Sequence, residues 1–203
     1  MEEYGALIAN QTWDLVPPSP HANIISEKWL YRDKHNADGS LARWVVWGFS
    51  QQHGLDYDET FCPVVKPTTI RTVLSLGISS DWPIHQLDGK NLVRHGTLNE
   101  VIYCQQPPGF ADPARPNYVC KLNKALYSLK QAPRAWYSRF KVFITSIGCR
   151  ASKRDNSLFI YTHGMDVAYL LLCGWHHIDG IIPPSSSTYY WLHAASICHD
   201  WSW

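Results

Sequence analysis

Residues 132–147 read Ala-Pro-Arg-Ala-Trp-Tyr-Ser-Arg-Phe-Lys-Val-Phe-Ile-Thr-Ser-Ile, and this run decides the fold class. Trp136, Phe140, Phe143 and Ile147 recur at helical spacing, and Gly148 supplies a stop. The pattern predicts a helix over Ala132–Ile147. Toward the C-terminus, Leu158–Tyr161 and Val167–Leu172 flank a His163-Gly164 turn and predict a hairpin. Toward the N-terminus, Val101–Gln105 reads as a strand stopped by Pro107-Pro108-Gly109, and Pro83–Leu87 as a short strand ending at Asp88. Pro67-Thr68 opens a second helix, with Ile70, Val73, Leu74 and Ile78 on one face. Gln51–Val65, broken by Gly54 and Pro63, reads as loop. Lys28–His35 and Leu41–Phe49 enclose Asp38-Gly39, which is hairpin turn chemistry. Residues 1–22, including Trp13, Leu15 and Val16, read as an irregular or short-helical lead-in. Strands and helices do not alternate strictly, so the expected class is α+β.

The chain has 203 residues, 45% of them hydrophobic, enough for one domain or one large lobe with a real core. Its net charge of +1 gives no overall drive toward nucleic acid. The distribution is uneven. Residues 1–172 hold all 18 Lys and Arg and 15 of the 17 acids, whereas residues 173–203 hold no Lys, Arg or Glu. The six cysteines form no C-x-x-C pair, and no targeting segment is recognisable at the N-terminus. The expectation is reduced thiols in an intracellular protein. The apolar run Val167–Cys173 is too short to span a bilayer, so no membrane partner is expected.

Several stretches together resemble the copia-type retrotransposon reverse transcriptase domain. They are Asn10–Val16 (NQTWDLV), Gly54–Val65 (GLDYDETFCPVV), Thr69–Leu76 (TIRTVLSL), His85–Asn91 (HQLDGKN), His95–Leu98 (HGTL) and Ala125–Tyr137 (ALYSLKQAPRAWY). Their order and spacing fit, over about residues 6–172. The resemblance implies a reverse-transcriptase-like fingers and partial palm over residues 1–172, with an irregular, disordered or loosely packed tail over 173–203. It also implies template-primed DNA synthesis from deoxynucleoside triphosphates on an RNA or DNA template.

Such polymerases use two metal ions, normally Mg2+, held by carboxylates. Asp88 matches the family's first catalytic aspartate and is the implied metal ligand. Its surroundings depart from the family pattern Asp-Val-Lys-Asn-Ala-Phe-Leu-His-Gly, because Gly89, Leu92, Val93 and Arg94 replace Val, Ala, Phe and Leu. Val93 stands where the family carries an aromatic gate against the ribose 2′-hydroxyl, so an implied nucleotide pocket discriminates poorly. Arg94 puts a charge at an apolar position, costly if buried without a partner. Upstream, the family reads Arg-Tyr-Lys-Ala-Arg-Leu-Val before Gly-Phe, whereas this chain reads Arg43-Trp44-Val45-Val46-Trp47-Gly48-Phe49. Four residues with two cations are missing, leaving Arg43 as a partial substitute for triphosphate binding. Leu129–Tyr137 resembles the segment that backs template and nucleotide. Gln131 is the implied nucleotide contact, and Lys130 and Arg134 the implied nucleic-acid contacts, with Trp136 packed inward.

After Leu172 the resemblance breaks. The family's strand runs into Tyr-Val-Asp-Asp, which supplies the remaining aspartates. Here Tyr169–Leu172 runs into Cys173-Gly174-Trp175-His176-His177-Ile178-Asp179-Gly180. Those residues are encoded as TGY GGN TGG CAY CAY ATH GAY GGN. Read from the second base of the Cys173 codon, the same bases can give Val-Asp-Gly-Ile-Ile-Leu-Thr-Ala. That is the family's continuation with one aspartate changed to glycine. Residues 173–203 are therefore expected to be out-of-frame translation. Their four tryptophans in 31 residues fit a segment never selected for folding. A metal site from Cys173, His176, His177, His193 and Cys198 is the rival, but these lack the fixed spacings of zinc sites. Asp179 comes too late, after a stretch with no strand signal, to replace the lost pair. The expected product is a catalytically dead polymerase fragment. The alternative is a noncatalytic nucleic-acid-binding fragment using Lys130, Arg134 and the basic residues around Lys28–Lys34.

Overall fold

The computed structural model describes residues 2–30, 43–88, 96–164, 166–173 and 177–181. The chain divides into two compact units, Met1–Phe61 with Val93–Trp136, and Cys62–Leu92 with Tyr137–Ser202. Both mix sheet and helix, as the sequence predicts.

Unit 1 opens with α1 (Glu2–Ala9), a helix where the sequence left the lead-in open. Thr12 closes it: its N–H and its hydroxyl both donate to the Leu7 carbonyl, at 3.1 and 2.8 Å. The strands β1 (Trp13–Val16), β2 (Ile24–Ile25), β6 (Thr97–Cys104) and β7 (Val119–Lys124) form a sheet in the order β1-β7-β6-β2. β2 joins β6 in parallel, and the other pairs are antiparallel. A register shift between Thr97 and Ile102 breaks the β6–β7 ladder; beyond it Cys104 stands opposite Cys120. Leu98, Ile102 and Cys104 alternate inward along β6. They meet Leu7, Ile25, Leu122, Leu126 and Leu129 in one core. β1 and β7 were not expected from sequence. Asp14, Lys121 and Asn123 interrupt their apolar pattern, and they are strands because β6 offers a ladder to extend.

The expected hairpin is present as β3 (Glu27–Leu30) against β4 (Arg43–Val46). Its Asp38-Gly39 turn lies outside the described residues.

Unit 2 holds a five-stranded sheet. Its strands are β5 (Ile84–Asp88), β8 (Arg150–Ala151), β9 (Leu158–His163), β10 (Asp166–Cys173) and β11 (His177–Ile181), in the order β5-β11-β10-β9-β8. Every neighbouring pair is antiparallel. β9 and β10 are the predicted hairpin, turned at Gly164 with φ +61°.

Two helices complete the described chain. α2 (Pro67–Ser79) has Pro at its first turn. It buries Val73 and Gly77, with Ile70 and Leu74 beside them, against Leu158, Leu171 and Val65. Ile78, expected on that face, is 72% exposed, because Gly77 takes the inner position one turn after Val73. α3 (Ala132–Ser146) begins in unit 1 and continues into unit 2, and Gly148 ends it at φ +97°. Its large buried side chains are Trp136, Tyr137, Phe140 and Ile144, a stripe rotated from the expected one; Phe143 and Ile147 are half-buried. In unit 2, Phe140 meets the fully buried Phe159 edge to face at 5.6 Å.

The expectation of an irregular stretch from Cys173 fails for His177–Ile181. This segment is an inner strand, flanked by β10 and β5. Its own pattern is weak, but two waiting ladders supply what propensity does not. Residues 182–203 lie outside the described residues.

Candidate functional site

β5 carries Asp88 as its last residue, at the edge of the five-stranded sheet. Across the strand pair, His177 is the register partner of Asp88, and Asp179 the partner of Gln86. Asp179 is thus on a strand adjacent to β5, where the sequence reading had it in an unstructured stretch. Its register position is diagonal to Asp88, roughly 7–8 Å away for neighbouring antiparallel strands. Two catalytic metal ions sit about 3.5–4 Å apart and need several hard oxygen donors converging on them. Among the described residues, no group of three or more His, Cys, Asp or Glu is placed to hold a metal ion. Val93 lies outside the described residues. Arg43 opens β4, opposite Leu30 on β3.

Lys130 and Gln131 sit in unit 1, just before α3, behind a turn where Ser128 adopts φ +72°. Gln131 is fully buried. Its carboxamide accepts from Gln51 Nε2 at 3.0 Å and donates to the Asp56 carbonyl at 2.9 Å. Gln51 closes the loop by accepting from the Lys130 N–H at 2.8 Å. The Lys130 ammonium donates to the Gln51 carbonyl and the Tyr57 hydroxyl, at 3.3 and 3.2 Å, and lies 4.7 Å from the centre of the Tyr57 ring. Gln131 therefore does not face outward in this structure; it ties the start of α3 to the Gln51–Tyr57 loop.

Asp56, in the Gly54–Val65 motif, is part of the same device. Its buried carboxylate accepts from the Gln52 N–H at 2.7 Å and from Asn23 Nδ2 at 2.6 Å. Asn23 also donates to the Ser50 carbonyl. A buried carboxylate held by donors is stable where an unpaired one is not.

Arg134, one turn further on, is paired with Glu100 of β6. The contact is single-pronged: Glu100 Oε2 and Arg134 Nε are buried without a partner. Sequence reasoning missed Gln51, Asp56 and Glu100. Gln51 and Gln131 are separated by 80 residues, so no local pattern marks them as a pair.

Unit 2 has its own polar anchor, at the start of α2. Lys66, the residue before Pro67, makes no side-chain cap. Asp155 supplies one instead, accepting from the Thr69 hydroxyl at 2.6 Å and the Lys66 N–H at 3.0 Å, while its other oxygen takes the Ser157 N–H at 3.0 Å. Burial pushes the Asp155 pKa up, but the Thr69 hydroxyl and the Lys66 and Ser157 N–H groups together hold it below the usual carboxylate value. Burial raises the thiols of Cys62 and Cys149, the latter to about 11. Tyr137, which donates to the Asn156 carbonyl at 3.0 Å, is raised by burial and then by the charges of Cys62 and Asp155.

Comparison with known proteins adds a lineage to this geometry. The family described as "Reverse transcriptase (RNA-dependent DNA polymerase)" matches residues 10–187. The retrovirus-related Pol polyprotein from transposon RE1 of Arabidopsis thaliana is 49% identical over 185 residues, covering 89% of this chain and 12% of the relative. That from transposon RE2 of the same plant is 46% identical over 191 residues, covering 92% of this chain and 13% of the relative. The polyprotein from transposon TNT 1-94 of Nicotiana tabacum is 46% identical over 149 residues, covering 71% and 11%. The chain thus spans only 11–13% of the length of these relatives. No solved structure matches it.

Proposed function

Because the chain belongs to the reverse transcriptase (RNA-dependent DNA polymerase) family and its relatives are copia-type Pol polyproteins, we propose that it is a degenerate piece of a retrotransposon polymerase that no longer polymerises DNA. In this reading unit 1 is the fingers and unit 2 the partial palm. Template-primer and deoxynucleoside triphosphate are the ancestral partners, and Asp88 is the surviving ancestral ligand for Mg2+.

One observation carries the proposal. The strand Asp166–Cys173 continues into Gly174-Trp175-His176, without the aspartate pair the family carries after that strand. The residue opposite Asp88 is His177. Mg2+ prefers hard oxygens at near-octahedral geometry, and an imidazole suits other metals. The donor set that would bridge primer hydroxyl and triphosphate is incomplete, so nucleotidyl transfer has no centre on which to proceed. A second reading frame that can spell Val-Asp-Gly where the pattern has Val-Asp-Asp supports a single frame shift at Leu172–Cys173 as the origin of residues 173–203. Sequencing the genomic DNA across the Leu172 codon tests that origin directly.

Primer extension on an RNA template, with the 203-residue chain and Mg2+ or Mn2+, is expected to give no product. Metal-dependent extension that Asp88→Ala abolishes would overturn the proposal.

A second reading, noncatalytic binding of nucleic acid, is favoured by the exposure of Trp47 and Phe49 in the unit that holds Lys130. It expects salt-dependent RNA binding that survives Asp88→Ala. Arg134 and Lys130, bonded within unit 1, contribute to it only to the extent that phosphate displaces Glu100 and Tyr57.

A further inference from the structure

Two cysteines of unit 1 face each other. In the β6–β7 ladder Cys104 is the register partner of Cys120, and directly opposed residues send their side chains to the same face. Both are free thiols, fully enclosed in the unit's core. The strand on the other side of β6 fixes how they pair. On β2, Ile25 is the partner of Cys104, and its carbonyl accepts from the Gln105 N–H at 3.2 Å. Backbone polar groups alternate sides along a strand. Gln105 turns its N–H to β2, so Cys104 turns its own N–H and C=O to β7. Cys104 and Cys120 are therefore a pair of the hydrogen-bonded kind, with Cα atoms about 5.5 Å apart.

That separation falls within the roughly 4.4–6.8 Å that a disulfide bridges. The Cβ atoms of such a pair start about 5.5 Å apart and a disulfide draws them to about 3.8 Å, so the bond pulls the strands together and is strained. The pull falls at the end of the ladder. Cys104 is the last residue of β6 and Cys120 the second of β7, and a register shift interrupts the pairing between Thr97 and Ile102. Past this end, Gln106 ties the connection 105–118 together by hydrogen bonds. Its Nε2 donates to the Arg115 and Tyr118 carbonyls, at 2.8 and 2.9 Å, and its Oε1 accepts from the Asp112 N–H at 2.8 Å.

We propose that Cys104 and Cys120 are a dithiol modification site, oxidised by low-molecular-weight disulfides to a cross-strand bond that closes the 105–118 connection covalently. One thiolate attacks a sulfur of the small disulfide, which expels a first small thiol and leaves a mixed disulfide. The second thiolate attacks the protein sulfur of that adduct and expels a second small thiol. The protein gives up two protons and two electrons, and the small disulfide takes them to become two thiols. Burial sets the rate, because exchange proceeds when the ladder end opens. Strain makes the bond easy to reduce, so the same couple reverses it.

The test incubates the full chain in buffers of reduced and oxidised glutathione until the thiol count is constant. Remaining thiols are then blocked with N-ethylmaleimide in denaturant and mapped by mass spectrometry. A bond between Cys104 and Cys120 within one chain is expected, with two thiols lost and both recovered in excess reduced glutathione. In the oxidised chain, hydrogen-exchange protection of Val119–Lys124 should rise about tenfold, and more than that of Leu158–His163. Cys104→Ala and Cys120→Ala are each expected to abolish both changes, with circular dichroism as the check on folding. Mapping of the parent chain decides even where a variant does not fold. Both cysteines fully blocked at every glutathione ratio would overturn the proposal, as would bonds from them to Cys62 or to a second chain instead of to each other. A bond that leaves the protection of Val119–Lys124 unaltered would overturn the closing role.

Discussion

The two units spend their polar residues differently. In unit 1 the groups that resemble substrate contacts are bonded to one another: Gln131 to Gln51 and Asp56, Lys130 to Gln51 and Tyr57, Arg134 to Glu100. In unit 2 the backbone array around Asp88 is regular, with an antiparallel neighbour in register, yet the side-chain identities on that neighbour are His177, Ile178 and Asp179. Unit 1 bonds its polar residues to one another, whereas unit 2 pairs the strand that ends at Asp88 in a regular ladder with His177–Ile181. A fold's ladder depends on backbone groups that every residue carries, whereas a metal centre depends on a few identities. The first survives changes that remove the second.

Breaking each unit separately sharpens the contrast. The largest effect is expected from Phe159→Ala, which empties the centre of unit 2 beside Phe140. The loss should be about 3–5 kcal/mol, read by denaturant unfolding. Next is Gly48→Ala, where the added methyl meets backbone that cannot step aside. About 3 kcal/mol is expected, with hydrogen-exchange protection falling in Val119–Lys124 more than in Leu158–His163. Equal loss of protection in the two strands would show that the units unfold together.

Smallest is Asp155→Ala, which removes the cap of α2 and should cost about 1–2 kcal/mol at neutral pH. Asp155 has a lowered pKa in the folded chain, so its contribution is complete above the ordinary value of 3.8 and fades as pH falls through the folded value. Parent and variant should therefore converge in stability in strong acid, and thermal melts across that range would reveal a gap that persists.

Much of this architecture is legible in the sequence. Local signals gave both main helices, the β9–β10 hairpin and the strand ending at Asp88, because their apolar periods and their Gly and Pro stops lie within a few residues. What escaped was non-local. β7 exists by pairing with β6, β1 by pairing with β7, and β11 by pairing with β10 and β5. The candidate site divides in the same way. The motifs located Asp88, Lys130, Gln131 and Arg134 along the chain. They did not reveal that Gln51 would occupy the Gln131 carboxamide, or that Glu100 would face Arg134. Those are facts of packing between segments far apart in sequence.

The buried thiols have a practical consequence. Cys104 and Cys120 lie opposite each other in the core of unit 1, while Cys149 lies buried in unit 2. A thiol reagent reaches a sealed cysteine only when its surroundings breathe. The chain thus carries its own pair of clocks, one in each half, and their labelling rates time the opening of each half without any added probe.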